Sequence, residues 1–170
     1  MSMQIEPILP EQKSVFMQLM NLYNYDFTEY EDEEISEDGF YDYENYRRIT
    51  TDTYWNDDSW RTFLIRVDKR IAGFVLVHNH CRFIGDNDAH NIDEFFVMKK
   101  YRRMGVGRFA AKTVFDMFRG KWEVLQLPSN LRAQMFWKAV ISDYMQGDYQ
   151  ECGSVTEEWV GFIFDNSIVN

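Results

Sequence analysis

Five cations fall within ten residues of an otherwise acidic chain: Lys99, Lys100, Arg102, Arg103 and Arg108, with Gly105 and Gly107 among them. Glycines carry no Cβ, so an anion can approach the backbone closely there. The apolar run Phe95-Phe96-Val97 just before this segment reads as the end of a buried strand. After it, residues 109–118 carry apolar side chains at helical spacing and no proline. A strand, a basic glycine turn and a helix follow one another without a break. Such a junction aims backbone N–H groups and the positive end of a helix dipole at one point, which suits a phosphate or pyrophosphate. A solvated basic turn is the plain alternative.

Spacing narrows the choice. A P-loop needs Lys-Ser or Lys-Thr after its last glycine, and Arg108-Phe109 stands there. A dinucleotide fingerprint needs a third glycine, and Ala110 follows instead. What remains is Arg102-x-x-Gly105-x-Gly107, five residues beyond Val97.

The elements that position this turn can be read along the chain. Residues 4–9 form a strand that Pro7 confines to an edge or an irregular end. From 11 to 25, Val15, Phe16, Leu19, Met20, Leu22 and Tyr23 recur at helical spacing behind Pro10. Residues 62–67 and 71–78 flank Asp68-Lys69-Arg70 as a hairpin. A polar loop over 79–90 leads to a strand at 91–97, the glycine turn, and a helix over 106–119 that Gly120 stops. A strand at 122–127 follows, then a helix from Pro128-Ser129-Asn130 to about residue 143. Residues 149–152 and 159–164 close the chain as an antiparallel pair. Strands with helices between them predict an α+β fold with a mixed sheet.

Composition sets outer limits. At 170 residues the chain fits one domain with a full core, expected to span 1–170. No apolar run is long enough for a bilayer, and the polar start, Met1 to Glu6, lacks a signal-peptide pattern. Cys81 and Cys152 show neither disulfide nor metal-ligand spacing, which points to a reducing cytoplasm. A net charge of −10 argues against a general nucleic-acid binder. His78 and His80 form a His-x-His pair, but no further ligand set accompanies them or His90, so solvated or core histidines and no metal are expected. Between Asp26 and Asp58, thirteen carboxylates face two arginines, Arg47 and Arg48. Nine aromatics run through and just past this segment, from Phe27 to Trp60, which no disordered acidic tail would carry, so it reads as a folded insertion.

Arg102-x-x-Gly105-x-Gly107 after a strand ending in Val97 resembles motif A of the GNAT superfamily of acyl-CoA-dependent N-acetyltransferases. Lys99 stands where proline is common. Asn130, Ala133, Phe136 and Trp137 resemble the superfamily's Asn-x-x-Ala-x-x-aromatic-aromatic helix, and Ala72-Gly73-Phe74 resembles the end of its preceding hairpin. Leu22-Tyr23-Asn24-Tyr25-Asp26-Phe27 resembles the first helix of a subgroup of bacterial predicted acetyltransferases. The likeness is firm over residues 62–140 and looser elsewhere.

This resemblance implies a mixed, mostly antiparallel sheet flanked by helices in three layers, with an acyl-CoA cleft between two splayed central strands. It implies that acetyl-CoA lies between the strands ending at Val97 and Leu127. Backbone groups of Arg103, Met104, Gly105, Val106, Gly107 and Arg108 would hold the pyrophosphate, with added charge from Arg102, Arg103 and Arg108. Main-chain groups of Phe95, Phe96 and Val97 would meet the pantetheine arm. Asn130 would bond the pantetheine end, and it also fits a helix N-cap. The acceptor is an amine, mostly ammonium at neutral pH, so a base must take its proton. Asp93 and Glu94 are the best-placed carboxylates. On a regular strand they face opposite ways, so one alone can serve, and Glu94 beside an apolar neighbourhood that raises its pKa is the candidate. Trp137 replaces the tyrosine that protonates the leaving thiolate in many relatives, which leaves Tyr144, a water or no assigned acid. The acidic insertion would shape a pocket for a cationic small molecule or peptidyl amine. A non-catalytic acyl-CoA sensor of the same fold and a nucleotide-binding protein remain open, as does a homodimer. Neither a membrane partner nor a nucleic acid is expected.

Overall fold

The computed structural model describes residues 1–41 and 44–168; Asp42 and Tyr43 of the acidic segment lie outside the described residues, as do the side chains of Glu44, Asn45 and Tyr46. In chain order the elements are β1 (Met3–Pro7), α1 (Lys13–Phe27), α2 (Glu44–Ile49), α3 (Asp52–Asn56), β2 (Trp60–Val67), β3 (Arg70–His78), β4 (His90–Val97), α4 (Val106–Met117), β5 (Lys121–Gln126), α5 (Leu131–Tyr144), β6 (Gln150–Gly153) and β7 (Val160–Asp165). The strands form one seven-stranded sheet in the order β1-β2-β3-β4-β5-β7-β6. All pairs are antiparallel except β4–β5.

The sheet is covered on both faces. On one side α4 buries Val106, Ala110, Ala111, Val114 and Phe115 against Val75, Val77, Ile92 and Trp122. Full burial of each Val or Phe is worth about 1.5–3 kcal/mol. On the other side α1 buries Phe16, Leu19 and Met20 against Leu64, Phe74, Leu76 and Phe96. The acidic insertion is folded as expected: Ile49 and Tyr54 are buried in this second cluster. Those two side chains anchor α2 and α3 to the sheet.

Strand and helix positions agree with the sequence reading to within two residues at most ends. The β2–β3 hairpin turns through Asp68 and Lys69, both at positive φ (46° and 66°). Two such central residues make the turn whose twist matches paired strands.

The central feature is where pairing stops. β4 and β5 pair through His90↔Trp122, Asn91↔Glu123 and Ile92↔Val124. β4 then continues to Val97 and β5 to Gln126 without further pairing between them. The two strands part there and leave an opening through the middle of the sheet.

Candidate active site

A cleft of ≈ 1990 Å³ runs through this opening. Ordinary small-molecule pockets hold roughly 300–1,000 Å³, so there is room for two substrates. Its walls include Phe95, Phe96, Val97, Arg102, Arg103, Gly105, Gly107, Arg108 and Asn130 from the expected cofactor set, together with Asp93 and Glu94.

The glycine turn sits at one end. Gly105 is the N-cap of α4 with φ +82°, a conformation that only glycine adopts without strain. The first helical hydrogen bond is Phe109 N–H to Gly105 O at 2.9 Å. The N–H groups of residues 106–108 precede it and have no partner within the helix. Gly107 is small for a second reason: a Cβ there would lie 3.2 Å from the ring of Phe136 and 3.7 Å from that of Phe95. Its hydrogen atom lets α5 close against α4 beside the parted strands.

The basic side chains differ in their freedom. Arg102 donates from Nε to the Val97 carbonyl at 2.6 Å and pairs through its terminal nitrogen with Asp26. Lys99 joins the same carboxylate at 3.2 Å. Arg108 shares Asp143 with Lys112, at 2.8 and 2.6 Å. Arg103, at φ +62°, has no carboxylate partner among the described residues. Met104 is exposed and outside the cleft wall, and the side chain of Val106 is buried in the core, so only main-chain groups of these two can serve. Asn130 caps α5: its Oδ1 accepts the Ala133 N–H at 3.0 Å, which leaves its amide N–H₂ to donate.

The carboxylates correct one expectation. Asp93 and Glu94 do not face opposite ways. Leu76 pairs with Glu94 but Val77 pairs with Ile92, so Asp93 is the extra residue of a β-bulge. A bulge breaks the alternation of side chains and re-aims them. Asp93 bonds His78, which pairs with Asn91 on the α1 side of the sheet, and Glu94 sits opposite Leu76 on that same side. Both acids therefore face α1. Glu94 is buried, and Tyr23 on α1 lines the same cleft. Burial, then the nearby Glu94 carboxylate, hold Tyr23 well above the ordinary tyrosine range.

His78 is buried, and it stands at the cleft wall with its ring 4.6 Å from Trp60. Its Nδ1 accepts the His80 N–H at 2.7 Å, so the proton sits on Nε2 and is donated to Asp93 Oδ1 at 3.1 Å. Glu123 on β5 is fully buried and accepts the N–H groups of Arg82 and Phe83 at 2.7 and 2.6 Å, which ties the loop between β3 and β4 to the cleft floor. No local pattern in the sequence marks Glu123 or His78 as part of a site; each has a partner on another strand or loop.

Tyr144 does not reach the cleft. Its hydroxyl donates to Asp116 at 2.8 Å and accepts from Asn166 at 3.3 Å, and its ring packs on Phe115 and Phe164 at the far end of α5. The C-terminal end of α5 lies away from the parted strands, and the tyrosine is withdrawn as an acid. Trp137 is at the cleft, buried edge-on against Phe95 at 4.8 Å.

Within the acidic run Glu31, Asp32, Glu33 and Glu34, only Glu31 lines the cleft; Asp26, Glu29 and Asp57 do so from elsewhere in the insertion. Burial, then Glu33 and Glu158, raise the pKa of Glu31. Burial, then Glu123 and Asp86, push the Cys81 thiol up to about 12. Among the described residues no group of three or more His, Cys, Asp or Glu has the geometry to hold a metal, and no helix is long and apolar enough to cross a membrane.

Known proteins agree with this architecture. The chain superposes on an acetyltransferase from Thermus thermophilus with TM-score 0.69 at 12% identity, covering 97% of each chain. It superposes on the aminoglycoside acetyltransferase AAC(6')-Ib in complex with coenzyme A with TM-score 0.66 at 12% identity, covering 96% and 95%. A ribosomal-protein-S5-alanine acetyltransferase from Vibrio fischeri gives 0.64 at 15% identity, covering 99% and 95%. At such identities the likeness is one of fold. No curated protein matches by sequence. A model of the acetyltransferase (GNAT) family matches residues 16–140. With the parted central strands and the glycine turn between them and α4, that match means the chain belongs to the GNAT family of acetyltransferases.

Proposed function

We propose that this protein transfers the acetyl group of acetyl-CoA to a cationic amine, as a single domain over residues 1–170. The observation that carries this is the opening between β4 and β5, with orphan N–H groups of α4 on one side and the buried Glu94 carboxylate on the other. Solved GNAT-type neighbours hold coenzyme A, and one is described in complex with kanamycin. The two free cysteines fit a reducing cytoplasm.

In this reading the diphosphate meets the N–H groups of residues 106–108 and Arg103. Arg102 and Arg108 stand in exposed ion pairs worth at most about 1 kcal/mol each, so a phosphate competes for them. Each charge-assisted bond to phosphate is worth about 1.5–3 kcal/mol. The pantetheine arm runs along the unpaired edge of β4 at Phe95 and Val97, and Asn130 donates its amide to it. The amine comes from the α1 side, past Glu31 and Asp57. Its nitrogen attacks the thioester carbonyl, and Glu94, directly or through water, takes the proton that must leave.

A second reading is favoured by Trp137, whose indole N–H is no practical acid: an acyl-CoA-binding domain that transfers nothing. Incubation with acetyl-CoA and a broad amine library separates the two. Formation of free CoA with an acetylated product supports transfer, and CoA affinity without product supports the sensor.

A further inference from the structure

His78, Asn91 and Glu123 stand opposite one another on β3, β4 and β5, in the register His78↔Asn91↔Glu123. All three are buried. Polar side chains are uncommon on a buried sheet face and are tolerated there only when bonded. Each of these bonds the main chain of the loop between β3 and β4. The His80 N–H goes to His78 Nδ1 at 2.7 Å, and the His80 carbonyl accepts from Asn91 Nδ2 at 3.3 Å. The N–H groups of Arg82 and Phe83 go to the Glu123 carboxylate at 2.7 and 2.6 Å. The row lies in the short stretch where β4 and β5 still pair, at the closed end of the opening.

The bond from His80 fixes the tautomer of His78, whose Nε2–H reaches Asp93 Oδ1 at 3.1 Å. Asp93 is the bulge residue, turned to the α1 side with Glu94. Its second oxygen, Oδ2, is buried and accepts no hydrogen bond among the described residues, and the same holds for Oδ1 of Asn91. Both residues line the cleft. A buried oxygen without a donor is costly, so two of them at one cleft wall call for a ligand that brings N–H groups.

The geometry points to Asp93 as a specificity-determining residue that takes a second ammonium of the acceptor, with Asn91 beside it and His78 as its positioning residue. The function proposed above is the premise: one nitrogen reacts while another anchors the molecule. Glu94 adjoins Phe95, on the unpaired edge of β4 where the pantetheine arm runs in that reading, so the reacting nitrogen belongs there. Asp93 and Asn91 lie toward the paired end, farther from the thioester. An ammonium has three N–H donors and a charge that a carboxylate attracts, whereas a hydroxyl has one donor and no charge. The preferred acceptor is therefore a diamine or polyamine rather than a monoamine.

The test measures transfer from acetyl-CoA to straight-chain diamines and to the monoamines of equal length. Wild type is expected to favour the diamines by about 10–10²-fold in kcat/KM, with the difference in KM. Asp93→Asn keeps an oxygen for His78 and should bring that ratio close to one, by raising the KM of diamines far more than that of monoamines. His78→Leu should lose most of the preference, and His78→Gln, whose amide N–H₂ can still reach Asp93, should keep part of it. A monoacetylated diamine has lost an ammonium, so wild type should stop after one transfer, which mass spectrometry reads without any variant. Equal kcat/KM for both classes, ready diacetylation, or an Asp93→Asn variant that raises both KM values alike would overturn the proposal. A His78→Leu variant with its preference intact would overturn the part given to His78. If wild type acetylates no amine of either class, the function proposed above fails, and the anchor fails with it.

Discussion

Asp26, the penultimate residue of α1, holds the guanidinium of Arg102, 76 residues away in the chain, and takes Lys99 at 3.2 Å as well. The C-terminal end of α1 is thereby bonded to the glycine turn. Opposite charges from two distant segments meet at the rim of the cleft, where a diphosphate would compete for the same arginine.

Asp26→Asn should therefore raise CoA affinity, by up to about fivefold, since exposed pairs are worth at most ~1 kcal/mol. Calorimetry with CoA measures it. Weaker binding would show instead that Asp26 orients Arg102 for the phosphate.

Gly107→Val should lower CoA affinity at least about tenfold, because its side chain must displace Phe136, 3.2 Å from the added Cβ, and Phe95 behind it. Gly107→Ala combined with Phe136→Leu restores space on the packing side and should recover most of the affinity. If Gly107→Val is folded and binds CoA as wild type does, the diphosphate lies elsewhere.

Legibility in the sequence followed the range of the interactions. The glycine turn, the β2–β3 hairpin and the apolar faces of α1 and α4 are local patterns, and they read correctly. The β-bulge at Asp93 was not legible, because it is set by the register between β4 and β3 rather than by any residue type near it. Tyr144 failed as an acid because helical spacing alone does not tell which end of α5 meets the cleft.

The acceptor KM should rise with ionic strength, beyond any change in CoA affinity. Salt shortens the reach of surface charge to about 8–10 Å and weakens the pull of Asp26, Glu29, Glu31 and Asp57 on an incoming ammonium. Glu31→Gln should reproduce part of that rise. Asp32→Asn with Glu33→Gln and Glu34→Gln, which lie off the cleft wall, should change KM much less. Equal effects from both sets would mean that the insertion acts only through net charge.

The most direct measurement is transfer itself: acetyl-CoA with a library of cationic and neutral amines, product identified by mass spectrometry, for wild type and Glu94→Gln. Wild type is expected to release CoA and acetylate cationic amines in preference to neutral ones, with Glu94→Gln slower by about 10²–10⁴-fold at unchanged CoA affinity. A wild-type protein that binds CoA yet yields no acetylated amine, or a Glu94→Gln variant with undiminished turnover, would contradict it.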